Sequence, residues 1–377
     1  MGRWGAGWAI FLAGLPFASF LDRRVDFWHA QTAWAQAWIL LLLCVAISRG
    51  LRVVANPPLA AFLAWGSLTW AWAWHQTMAT EQVYNALSLM PLAHLWSLAA
   101  FYVAACTLCT RETLTRLLRW VALAGVVSVA YGYLQWANLD QFMRNIDPFQ
   151  PDVIVGLVGN SSHYAAFLVL LLPLWLVQRT WWAWGAAAGA LGLLALTNSL
   201  GAWLALGAMG LVLGWRQAWW WGAGVMALLL GVVIATLMVP EWRIDQGRFR
   251  AWAVFWEAFT KRPITGWGLG WVADQVRGVA DITNPTFQWR HVHNAYLQVA
   301  VQQGVIGLSL LGWGLVEVGR RAWRLRTDPL AVTLAAVFAA FAANCTVNFA
   351  DHLWVTAALG LMAYCGLYVL SATVEPV

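Results

Sequence analysis

Between residues 240 and 294 the chain places seven basic side chains, Arg243, Arg248, Arg250, Lys261, Arg262, Arg277 and Arg290, against five carboxylates, Glu241, Asp245, Glu257, Asp274 and Asp281. Arginines gathered at one interface suit a phosphate or diphosphate, because the planar guanidinium matches anionic oxygens through paired hydrogen bonds. The stretch closes on Arg290-His-Val-His-Asn-Ala-Tyr-Leu-Gln298. A neutral imidazole near arginines has a pKa suited to taking a proton from a hydroxyl. Neighbouring tryptophans offer faces for sugars or lipid chains. Together these residues fit transfer from a lipid diphosphate to a hydroxyl acceptor. A second reading stands beside it with equal weight: the arginines anchor the stretch to anionic lipid. His291 and His293 are two apart, and no cysteine or carboxylate cluster nearby completes a ligand set, so no metal and no other cofactor is expected.

These residues must be positioned by elements that sit in lipid. The chain is 62% hydrophobic and 10% charged, against about 25% charged residues in a soluble domain. Apolar runs long enough to cross a bilayer recur throughout, and lipid allows only helices or closed barrels. The expected fold is all-α, a polytopic bundle with spans near 5–21, 33–48, 58–74, 86–109, 117–137, 162–178, 181–197, 200–215, 217–239, 295–317, 329–347 and 351–371. Residues 5–21 read as the first span rather than a cleaved signal, since no small-residue cleavage site follows. The expected organisation is one membrane domain: residues 1–239 carry nine spans, 240–294 form a periplasmic catalytic loop, and 295–377 carry three more.

With the N-terminus placed inside, the inner segments hold Arg3, Arg49, Arg52, Arg111, Arg116, Arg119, Arg179, Arg216, Arg320, Arg321, Arg324 and Arg326. The short outer loops hold only Arg23, Arg24 and Arg144. Short loops decide orientation, so both termini are expected in the cytoplasm and the long loop on the far side. The net charge of +6 therefore reflects topology, and a nucleic-acid partner is excluded because no basic face forms. The 30 tryptophans, many near segment ends, read as an aromatic belt. Cys106 and Cys109 form a CxxC inside an apolar run and read as buried thiols.

Within the long loop, Phe249, Trp252, Ala253, Phe255, Trp256 and Phe259 recur at near-helical spacing. They predict an amphipathic helix on the membrane surface or capping the bundle, with Gly247 before it and Pro263 at its end. Gly266-Trp-Gly-Leu-Gly270 follows. No strand precedes it, so its glycines read as a tight turn against the protein rather than a dinucleotide site.

Gly247-Arg-Phe-Arg-Ala-Trp252, Arg262-Pro263, Gly266-x-Gly-x-Gly270, His293-Asn294-x-Tyr-Leu-Gln298 and Gly304-x-x-Gly307 together resemble the O-antigen ligase and polymerase superfamily. Gly159-Asn-Ser-Ser-His-Tyr-Ala165 and Thr197-Asn-Ser-Leu-Gly-Ala-Trp203 resemble two further family segments. The resemblance implies an inverting, metal-independent glycosyltransferase of the bacterial inner membrane. Such an enzyme takes a glycan from undecaprenyl diphosphate on the periplasmic side. The acceptor is the lipid A–core in ligases, another lipid-linked glycan in polymerases, and a protein Ser or Thr in related oligosaccharyltransferases. Carried over, His293 is the catalytic base and Arg248 holds the diphosphate, with Asn294 orienting the histidine and Tyr296 lining the cavity. The family often has Ser-Arg-Gly where this chain has Ser199-Leu200-Gly201. Arg250, Arg243 and Arg290 are the candidates to replace that arginine.

A transporter or flippase for an anionic or lipid-linked substrate is the alternative of another class. Transporters put charges and broken helices near the midplane, whereas midspan charges here are scarce and no internal repeat is visible. A peptidoglycan polymerase of the shape, elongation and division type shares the layout but fits the loop less well. His163 and the Asp351-His352 pair begin outer helix ends and could border the same cavity, though a polar helix start and an N-terminal cap explain them. His29 and His75 lie in outer loops without supporting context, and His94 reads as a packed polar residue.

Overall fold

A computed structural model of the protein describes residues 3–18, 27–80, 89–140, 154–197, 199–214, 246–271, 280–281, 284–288, 292–348 and 354–373. They form α1 (Arg3–Ala18), α2 (Phe27–Ser48), α3 (Pro57–Thr80), α4 (Met90–Leu108), α5 (Arg111–Trp136), α6 (Ser161–Gln178), α7 (Trp181–Thr197) and α8 (Leu200–Gly214). After these come α9 (Gln246–Lys261), α10 (Ala295–Arg324), α11 (Pro329–Asn344) and α12 (Trp354–Ala372). The fold is helical as expected, apart from a short antiparallel pair of strands, β1 (Ala280–Asp281) and β2 (Asn284–Gln288), that the hydrophobic pattern does not signal. By length and composition α2, α4, α5, α6, α10 and α12 are able to cross a membrane, and α1, α7, α8 and α11 are shorter apolar helices.

Every expected span except 217–239 falls on one of these helices, and 217–239 lies outside the described residues. Polar helix ends escape a hydrophobic count. Thus α5 starts at Arg111 rather than 117, and α10 runs to Arg324 rather than 317. The amphipathic helix α9 begins at Gln246, so Gly247 lies in its first turn rather than ahead of it. The starts of α5, α6, α10 and α11 are capped by the side chains of Thr110, Asn160, Asn294 and Asp328, which accept otherwise unmatched backbone N–H groups.

Helices α6 and α12 are apolar all round and buried on nearly every face, so they form the centre of the bundle. His94 packs its ring on Trp354 at the start of α12, 5.2 Å between centroids. Cys106 and Cys109 are buried free thiols. Trp72, Trp181 and Trp184 are exposed, as a belt requires.

The arginine-bearing turns between helices and the segment carrying α9 lie at opposite ends of the described helices. At one end Arg52 N donates to Thr107 Oγ1 (3.1 Å), Arg111 pairs with Asp328, and Arg321 pairs with Glu317 (2.9 Å). Arg49, Arg116, Arg119, Arg179, Arg320, Arg324 and Arg326 lie on helix ends and turns at that same end. At the other end Ala295 N donates to Cys345 O (2.9 Å) and Trp252 Nε1 to Val292 O (2.8 Å), joining α9, α10 and the end of α11.

Helix α10 is broken at Gly304, whose φ of 68° no helix contains. The break frees backbone groups inside an apolar bundle, where each must find a protein partner. Trp267 N donates to Val301 O (2.9 Å), Gly268 N to Gln302 O (2.8 Å) and Trp65 Nε1 to Gln303 O (2.9 Å). Val305 N donates to Pro263 O (2.8 Å). The Gly266–Gly270 turn is therefore wedged against the break, consistent with a tight turn against the protein. A Cβ at Gly304 would run into the carbonyl of Ile264. Gly304→Ala is expected to destabilise the fold by at least about 2 kcal/mol, from crowding and a left-handed backbone. Thermal unfolding checks this, with Gly312→Ala, where a Cβ meets nothing, as the neutral control.

Candidate active site

Arg248 lies in the first turn of α9, and the remainder of that helix fixes it. Ala251 and Phe255 bury their side chains against Val292 and Val301, with Trp252, Ala258 and Phe259 beside them. This inner face holds α9 along α10, while Val254, Trp256 and the Glu257–Lys261 pair (2.8 Å) face outward. The Arg248 guanidinium, so placed, donates from Nη1 to Val347 O (3.0 Å) and to Asn348 Oδ1 (3.2 Å) in the turn after α11. Arginine carries five donors and no acceptor, so this turn orients a charge that stays on at every working pH.

His293 stands between two anchored neighbours. Before it, Val292 is fully buried, its carbonyl accepts from Trp252 Nε1, and its N–H donates to Gln298 Oε1 (3.4 Å). After it, Asn294 caps α10 by accepting from Leu297 N (2.9 Å). His293 itself takes φ 54°, a left-handed conformation that costs a residue of this type about 1–3 kcal/mol and is kept where the surroundings over-determine it. Asn294 thus fixes the start of α10, directly after His293. Tyr296 donates its hydroxyl to Ala342 O (2.8 Å) and packs with Ala295, Cys345 and Phe341, tying the start of α10 to α11.

Arg248, His293 and His163 meet electrostatically at this end of the bundle. Burial, then the charges of Arg248 and His163, hold the His293 imidazole well below its usual range. His163, buried on the first turn of α6, has its N–H bound by the capping Asn160 Oδ1 (3.3 Å). The segment leading into that turn is itself braced: Gln135 Oε1 accepts from Val155 N (3.1 Å) and Gly156 N (2.7 Å), and Gln135 Nε2 donates to the buried Asp140 (3.0 Å). The sequence offered His163 only as a possible cavity neighbour. Gln135 and Asn348 gave no signal, because Gln135 acts through backbone and Asn348 through a partner 100 residues away.

The consequence is an imidazole kept neutral, and hence able to accept a proton, to lower pH than a free one. An unshifted histidine with pKa near 6.5 has lost about three quarters of its neutral form at pH 6. Activity that depends on neutral His293 is expected to remain on its plateau at pH 6. A pH–rate profile checks this, and a half-point at about 6.5 would contradict it. The same shift opposes folding in acid. The unfolded chain binds the proton more readily, so this group's share of stability is complete above about pH 6.5 and is lost as pH falls toward the folded pKa.

Of the other sequence candidates, Arg243, Arg290, His291, Asp351, His352 and the side chain of Arg250 lie outside the described residues. Leu200 begins α8, and Gly201 beside it lies against Asn344, Val347 and Asn348. Among the described residues no three His, Cys, Asp or Glu side chains group as metal ligands.

No curated protein matches this chain. Residues 185–312 match the family model described as O-antigen ligase. The matched stretch holds Arg248, the Gly266–Gly270 turn, His293 and the Gly304 break, while His163, Asn344 and Asn348 lie outside it. Over that stretch the chain is similar to the O-antigen ligase family.

Proposed function

We propose that the protein is an inverting glycosyltransferase of the bacterial inner membrane. It passes a glycan from undecaprenyl diphosphate to an acceptor hydroxyl on the periplasmic side, with lipid A–core as the acceptor. The observation that carries this reading is the meeting of Arg248 and His293 at the end of the bundle opposite the arginine-rich turns. A fixed guanidinium beside a neutral imidazole is what such a transfer needs. The acceptor oxygen attacks the anomeric carbon while His293 takes its proton. The bond from that carbon to the diphosphate breaks on the opposite face, and Arg248 stabilises the negative charge gathering on the leaving group. Both chain termini then lie in the cytoplasm, since the arginine-rich end takes the inner position.

A polymerase or a protein O-oligosaccharyltransferase would share donor and chemistry, so the acceptor decides. The purified chain in proteoliposomes, given a lipid-linked oligosaccharide, is expected to cap added lipid A–core. A ladder of longer lipid-linked glycans with donor alone would mark a polymerase, and a modified Ser or Thr on an added protein an oligosaccharyltransferase. No product in any tube would favour a transporter. The break in α10 resembles the broken helices of transporters, but among the described residues the carbonyls of Val301, Gln302 and Gln303 accept from Trp267, Gly268 and Trp65, which favours a structural role for the break.

A further inference from the structure

Two asparagines close α11: Asn344 on its last turn and Asn348 in the turn beyond, each 1% exposed. Their amides are oriented by Arg248. Arginine only donates, so the side-chain atom it meets on Asn348, 3.2 Å away, is the oxygen. Asn348 Nδ2 then points the other way and donates to Asn344 Oδ1, at 3.2 Å. That fixes the second amide and leaves Asn344 Nδ2 at the far end of the row. It is buried, with no hydrogen-bond partner among the described residues.

Each bond in such a row polarises the next, so the positive charge at Arg248 strengthens the donor at the end. A strengthened, buried, unmatched donor calls for an acceptor, and an anionic oxygen is the acceptor that gains most. The row also lies against a particular backbone. Asn348 Nδ2 and Asn344 Nδ2 are 2.5 and 2.8 Å from where a Cβ on Gly201 would stand, so the start of α8 leaves no room for a side chain between itself and the amides.

We infer that Asn344 is a ligand-binding residue of this site, its Nδ2 donating to a phosphate oxygen of the lipid-linked diphosphate that Arg248 engages from the other end of the row. The inference rests on the proposed role of Arg248. The test uses the full chain purified in lipid nanodiscs, with undecaprenyl diphosphate as the probe and undecaprenol as its uncharged control. Asn344→Asp keeps the oxygen that Asn348 needs and turns the donor into an anion. It is expected to weaken undecaprenyl diphosphate binding by about tenfold or more, the scale of losing a charge-assisted hydrogen bond, and to leave undecaprenol binding unchanged. Asn344→Ser, which removes the amide donor together with the oxygen that Asn348 uses and adds no charge, is expected to weaken it several-fold and decides the matter if the aspartate variant does not fold. Wild-type affinity for the diphosphate in a folded variant would overturn the inference, as would equal loss of both probes, which marks a purely structural role. Should the wild-type chain not distinguish undecaprenyl diphosphate from undecaprenol, the role of Arg248 falls first and this inference with it.

Discussion

Replacing His293 by alanine is expected to abolish glycan transfer while the bundle stays folded. The loss of a general base is worth about a hundredfold to ten-thousandfold in rate, and a residual rate at the lower bound of detection follows. Folding should survive, because the segment is held by its neighbours: Val292 through Trp252 and Gln298, and Asn294 through its cap. The half-buried imidazole itself contributes little to the hydrophobic core. Alanine does carry a cost at φ 54°, so His293→Asn is the better-folded companion, since asparagine tolerates the left-handed region. Both variants should lose transfer equally and keep a thermal unfolding midpoint near that of the wild type. Near-normal transfer by either one would remove His293 from the mechanism.

Arg248→Ala should produce a loss of comparable size by another route. Removing one preorganised electrostatic contact to a developing charge costs about 10²–10³ in rate. The truncation also strips Val347 O and Asn348 Oδ1 of their donor, so a loss of stability of about 1–3 kcal/mol accompanies it. Arg248→Lys retains charge but not the planar fork, and should recover only part of the rate. A further signature separates electrostatics from mere disruption. The charge of Arg248 helps depress the His293 pKa, so its removal should move the acid limb of the residual pH–rate profile toward neutrality. Arg116→Ala, whose exposed side chain pairs with Glu112 at the other end of the bundle, is the control expected to leave transfer unchanged. An alanine variant at Arg248 with normal rate and an unmoved profile would show that the guanidinium only holds α9 in place.

The membrane bundle was legible in the amino-acid order, because burial in lipid is written locally. An apolar run of spanning length and the near-helical recurrence of Phe249, Trp252, Ala253, Phe255, Trp256 and Phe259 each act over a few residues, although of these Ala253 and Trp256 turn outward in the fold. The partition of the arginines was legible for the same reason, since each short turn carries its own charge. His293 and Arg248 were reached through family segments, by order and spacing. The α10 break was not foreseen. Gly304 sits in an apolar run like other helical glycines, and only the arrival of Gly266–Gly268 and Trp65, which is 238 residues from Gln303, makes its backbone conformation tenable. With leucine at position 200, the sequence offers only other arginines in its place. The fold instead set two amides from the end of α11 against Gly201 and linked them to Arg248 across 100 residues. Composition and periodicity determined that this chain forms apolar helices and the amphipathic α9. Which donor faces which acceptor was decided only by tertiary packing, because a hydrogen bond between distant segments depends on ångström-scale placement that no local pattern encodes.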